Sequence, residues 1–231
     1  MAKKEEKKDI LDNAEALQEK VVSAEHWVEE NPKIVIGVVV VLLLAAGAYF
    51  GGRYWIDTRD QEAQTEMFQA IRYFEKDNLD TLELALNGDG NNLGFLQIID
   101  DYKWTPAANL ANFYAGAAYL KQGKFPLAIF HLKDFESDDL LVQARAYSLI
   151  GDAYMEQKDY ANAASYYDKA SSYKPNKFFT PQYLMKAALA YELLQDTVKA
   201  KAAYHRIIDE YWDSAEVQNA KKFKARLDNN S

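Results

Sequence analysis

Residues 144–177, ARAYSLIGDAYMEQKDYANAASYYDKASSYKPNK, read as two helices joined by a turn. Ile150-Gly151 is followed by Tyr154, then by Ala163, Tyr167 and Ala170, with Pro175 closing the unit. Gly151, Ala163 and Ala170 fall where two paired helices approach too closely for a larger side chain, while Tyr147, Tyr154 and Tyr167 fill the spaces between turns. Stretches starting at Asn109 and Pro181 repeat the pattern, 35 residues before and 37 after. Gly116, Tyr119, Ala128 and Leu132 match in the first copy; Ala188, Tyr191, Ala200 and Tyr204 match in the last. Periods of this length belong to solenoids, in which each hairpin buries its apolar face only against its neighbours.

Working outward, Ala215 to Leu227 reads as a capping helix, with Lys221, Lys222, Lys224 and Arg226 solvating an otherwise open apolar end. On the other side, Thr105-Pro106 supplies an N-cap and a first-turn proline for the first repeat. Leu93, Leu96, Ile99 and Tyr102 are expected to pack one face of a short helix, and residues 60–104 to form a degenerate fourth pair. Ala63, Met67, Ala70, Ile71 and Phe74 place a helix over residues 57–76. The run Asn87 to Asn92, NGDGNN, is a turn and not a calcium loop, because the closing glutamate position of such a loop holds Ile98.

Upstream lies IVIGVVVVLLLAAGAYFGG, Ile34 to Gly52, 19 residues without a charge between Lys33 and Arg53. As a helix it reaches ~28 Å, close to a bilayer's ~30 Å hydrocarbon thickness. Ile34, Val41, Leu44, Phe50 and Trp55 are its candidate lipid contacts, and Trp27, Tyr49 and Tyr54 suit the headgroup layers. The preceding 33 residues hold nine acids, unlike the basic start of a signal peptide, so an uncleaved anchor is expected. Ile10, Ala14, Leu17, Val21, Ala24 and Val28 make residues 9–31 amphipathic, fit either for the membrane surface or for a partner, and Pro32 separates them from the span. Lys20 and Lys33 before the span against Arg53, Arg59 and Arg72 after it leave orientation undecided by charge, although a short tail staying in the cytoplasm is the simpler outcome.

The expected class is therefore all-α: a charged tail (1–33), one transmembrane helix (34–52), membrane-proximal helices (53–108), three repeats (109–214) and a capping helix (215–231). A net charge of −8 disfavours nucleic acid as a partner, and the absence of cysteine excludes disulfides and thiolate metal sites. His26, His131 and His205 are scattered, with no second ligand at metal spacing. No phosphate-binding glycine loop or nucleophilic serine elbow is present, so neither an enzyme nor a cofactor is expected.

The spacings of residues 144–177 are similar to those of the tetratricopeptide repeat. The whole layout, a charged tail, one span ending in Gly52-Arg53-Tyr54-Trp55 and then repeats, resembles the YfgM-like ancillary subunits of the bacterial SecYEG translocon. Asn87 to Asp101 leading into Ala115-Gly116-Ala117-Ala118-Tyr119-Leu120 looks like the Bacteroidota version. The resemblance implies an inner-membrane protein with its repeats in the periplasm, beside the translocon and a PpiD-like anchored chaperone, contacting secretory polypeptides. It further implies that the first helix of each hairpin lines a concave protein-binding face: Leu110, Phe113, Ala117 and Leu120; Arg145, Ser148, Asp152 and Met155; Gln182, Met185, Leu189 and Glu192. The comparable positions lack the Lys and Asn of repeats that clamp a terminal carboxylate. A permanent scaffold in another cell-envelope complex is the alternative reading.

Overall fold

In the computed structural model, residues 14–229 are described, and all their regular structure is helical. Eleven helices follow one another among these residues: α1 (Ala14–Glu30), α2 (Pro32–Glu75), α3 (Leu79–Asn87), α4 (Phe95–Asp101), α5 (Pro106–Lys121), α6 (Phe125–Asp134), α7 (Val142–Glu156), α8 (Tyr160–Ser172), α9 (Thr180–Leu193), α10 (Thr197–Glu210) and α11 (Val217–Asn229). The chain divides into two units, Met1–Trp55 and Ile56–Ser231.

In the first unit the start of the amphipathic stretch, residues 9–13, lies outside the described residues. Asn31 separates α1 from α2, and Pro32 takes the first helical position, where its missing N–H removes no helix bond. The apolar run lies within α2, and its most apolar window has a mean hydropathy of 2.6 with none of it buried. By length and composition this is the one helix among the described residues fit to cross a membrane. Ile34, Val41, Leu44, Phe50 and Trp55 are all exposed.

In the second unit the core is a succession of clusters. Ala63, Met67 and Ala70 of α2 pack with Leu82 and Leu86 of α3, Phe95 and Ile98 of α4, and Ala111 and Ala115 of α5. Next, Ile129 and Leu132 of α6 meet Ala146 and Ile150 of α7. Ala163 and Tyr167 of α8 meet Ala187 and Tyr191 of α9, and Leu184 and Tyr204 meet Ala220 of α11. Each hairpin is thus finished by the next, as a solenoid requires. Residues 60–104 hold three helical pieces, the end of α2 with α3 and α4, and not a simple pair. Within α4 the fully buried side chains are Phe95 and Ile98, with Tyr102 following, while Leu93, Leu96 and Ile99 are only partly covered. Phe95, Ile98 and Tyr102 are themselves spaced 3 and 4 apart, so the helix offers a second apolar face beside the expected one, and it is this face that its neighbours cover.

Three hairpin turns share one backbone solution. Gly123, Lys158 and Gln195 occupy the left-handed region at φ 72°, 61° and 60°, again 35 and 37 residues apart. In each, the following N–H reaches back to a tyrosine carbonyl: Lys124 to Tyr119, Asp159 to Tyr154 and Asp196 to Tyr191, all at 2.9 Å. Asp159 and Asp196 then cap α8 and α10 through the N–H groups of Asn162 and Lys199. Only the first turn uses glycine, so the other two carry the Cβ strain of the left-handed region. Lys158→Gly with Gln195→Gly is expected to raise stability by about 0.5–1 kcal/mol per site, read as a higher urea midpoint at unchanged slope.

Candidate functional site: a groove across three first helices

The ends of α5, α7 and α9 that begin each hairpin face a common depression. Leu110, Phe113 and Tyr114 of α5, Val142 and Arg145 of α7, and Gln182 and Tyr183 of α9 line it, with Leu141 and Phe179 from the loops that precede α7 and α9. Its volume is about 330 Å³. The walls are positioned by local chemistry. Thr105 caps α5 by accepting from Ala108 N–H at 3.1 Å, and Asp60 of α2 accepts from Ala107 N–H at 2.7 Å. Asp139 accepts from the N–H groups of Leu141 and Val142 at 2.8 and 2.9 Å, which starts α7 and holds its carboxyl below the usual carboxylate range. Asn176 does the same for Phe178 and Phe179 before α9.

Four of the sequence-derived positions, Leu110, Phe113, Arg145 and Gln182, meet in this groove. Phe113 is steadied by Phe135, ring centroids 5.3 Å apart. The remaining positions sit elsewhere. Leu120 and Ala117 belong to the core around α5–α7. Ser148 is fully buried and therefore faces no ligand. Asp152 accepts from Tyr167 Oη at 2.7 Å and pairs with Lys186 Nζ at 2.7 Å. Glu192 accepts from Tyr204 Oη at 2.7 Å and binds Arg226 of α11. Asp152 joins one repeat to the next and Glu192 joins the last repeat to α11, while burial first and these carboxylates second push the Tyr167 and Tyr204 hydroxyls far above their ordinary range. Met155 and Met185 pack partly against the core, and Leu189 stays exposed.

Sequence reasoning overlooked Tyr114, Val142, Tyr183 and the loop residues Leu141 and Phe179. The loops did carry a signal: two apolar pairs, Leu140-Leu141 and Phe178-Phe179, stand just before a first helix, and all four side chains are exposed. An exposed apolar pair directly before a first helix, present in two successive repeats, marks a surface and not a core.

Other clusters hold no chemistry of their own. His131 Nδ1 lies 2.9 Å from Asn112 Oδ1 and its ring stacks on Tyr119; burial lowers its pKa, so it is a neutral packing residue. Asp89 in the NGDGNN turn is saturated by Tyr73 Oη, the N–H groups of Asn91 and Asn92, and the Asn92 amide. Those donors place its carboxyl far below the usual range and leave it little capacity for calcium. Among the described residues no group of three His, Asp or Glu is arranged to hold a metal.

Tetratricopeptide-repeat models match residues 144–177 and 182–214. These are the α7–α8 and α9–α10 hairpins, and the α5–α6 hairpin before them has the same turn geometry. No curated protein matches the chain. The protein is thus an all-helical, tetratricopeptide-repeat-containing chain, a type of scaffold that serves as a protein–protein interaction module.

Proposed function

We propose that the protein is a membrane-tethered interaction module, an accessory subunit of the SecYEG translocon whose repeats contact emerging secretory polypeptides or pass them to a PpiD-like chaperone. In this reading α2 crosses the inner membrane once, the charged tail is cytoplasmic and the repeats are periplasmic. The observation that carries the interaction role is the open apolar groove built by three consecutive first helices and rimmed by exposed Leu141 and Phe179. The sequence layout supports the translocon assignment. Tethering acts through effective concentration: a weak peptide site becomes useful when an anchor holds it beside its target.

A photoreactive residue at position 179 tests the reading. It is expected to capture many secretory chains in transit, together with translocon subunits, whereas the same probe at position 198 on exposed α10 captures neither. One stoichiometric partner at position 179 would instead indicate a permanent scaffold of another envelope complex. Protease added to spheroplasts checks the orientation, and digestion of the tail with protection of the repeats would reverse it.

A further inference from the structure

The groove combines an apolar lining with a single cation. Of its nine lining residues only Arg145 is charged, and no ion pair or hydrogen bond joins its guanidinium to any described residue. It lies close enough to the Tyr183 hydroxyl to oppose the rise in pKa that burial causes there. Asp139 is committed to the start of α7, and Asp152, which acts on Tyr183, to Lys186 and Tyr167. Glu75 acts on Tyr114, at the α5 wall. In a chain of net charge −8, an unpaired guanidinium in a groove whose lining holds no acid is a place where a negative group is favoured.

We propose that the groove binds an extended polypeptide segment carrying a large apolar side chain and, two residues away, an aspartate or glutamate. This rests on the interaction role proposed above and specifies its ligand. The spacing follows from geometry. In an extended chain, residues i and i+2 point to one face about 6.6 Å apart, whereas i and i+1 point to opposite faces. A compact cavity of about 330 Å³ is roughly 9 Å across, so one apolar side chain and one carboxylate at i+2 fit within it together. Leu110, Phe113 and Phe179 then enclose the apolar group, Arg145 takes the carboxylate, and Gln182 bonds the peptide backbone between them.

The test uses the full chain in detergent and short fluorescent peptides, capped at both ends so that no terminal carboxylate competes. A peptide containing Phe-Ser-Glu between Gly-Ser flanks is expected to bind about tenfold more tightly than the same peptide with Phe-Ser-Lys, the difference made by one charge-assisted bond. Replacing the Phe by Ser should abolish binding. Arg145→Glu, at an exposed position that leaves helicity unchanged, should invert the preference toward Phe-Ser-Lys. Equal affinity for both peptides, an uninverted order in the variant, or no binding by any peptide overturns the inference. Crosslinking of cellular chains from position 179 reads the interaction role separately, so captured clients beside charge-indifferent peptides would remove the ligand rule alone.

Discussion

Val41→Arg combined with Leu44→Arg is expected to move the protein from the membrane pellet to the soluble fraction. Both residues lie near the middle of the uncharged run and are exposed on α2, three residues apart and so on one helical face. Each arginine at the centre of a bilayer-spanning helix costs about 2.5–3.5 kcal/mol of insertion free energy, so the pair outweighs most of what the valines and leucines supply. Snorkelling gives little relief, because both positions are many residues from either end of the run. The folded unit after Ile56 carries its own core, so the released protein should keep its helical spectrum and its cooperative unfolding. Val41→Leu with Leu44→Val, the neutral control, should stay in the pellet through alkaline carbonate. A double-arginine protein that also remains there would refute the span.

Much of this architecture was legible because a tetratricopeptide-type hairpin writes its packing into residue size. Gly116, Gly151 and Ala188 mark one closest approach, and Tyr119, Tyr154 and Tyr191 mark one turn contact, so three copies can be aligned without coordinates. The same logic fails where packing is not local. Leu93-Leu96-Ile99 and Phe95-Ile98-Tyr102 both have helical apolar spacing, and only the packing of α3 and α5 on α4 selects the second. The groove shows the contrast within a single site. Leu110, Arg145 and Gln182 occupy equivalent positions in successive repeats, and the structure brings all three together. Ser148, Asp152 and Glu192 also occupy repeat positions of that face, but their partners Lys186, Tyr204 and Arg226 come from other helices, and only the folded chain reveals that burial and pairing withdraw them. Loops vary in length and so drop out of repeat alignment, which is why Leu141 and Phe179 were missed although both help form the wall.

Gly151→Val should destabilise the repeats by about 3 kcal/mol, the cost expected when methyl groups are forced into a filled interface with no room to relax. A Cβ on Gly151 would stand 2.5 Å from Tyr167 Cε1 and 2.7 Å from Cδ1, distances that no side chain tolerates. The ring cannot swing aside, since Tyr167 is 2% exposed and its hydroxyl is tied to Asp152, which is itself paired with Lys186 of the next repeat. Valine adds β-branching to the clash, so the helix propensity gained on losing glycine, at most about 1 kcal/mol, does not offset it. Gly151→Ala should cost less, because it brings the same Cβ contact without the two γ methyl groups of valine. The measurement is urea unfolding of both variants alone and with Tyr167→Leu, whose smaller side chain vacates the space that the introduced valine needs. Destabilisation by valine that Tyr167→Leu partly relieves would establish the contact, because removing a buried tyrosine from any other site should only add to the loss. Additive losses would mean that α7 and α8 are held apart by something other than this pair.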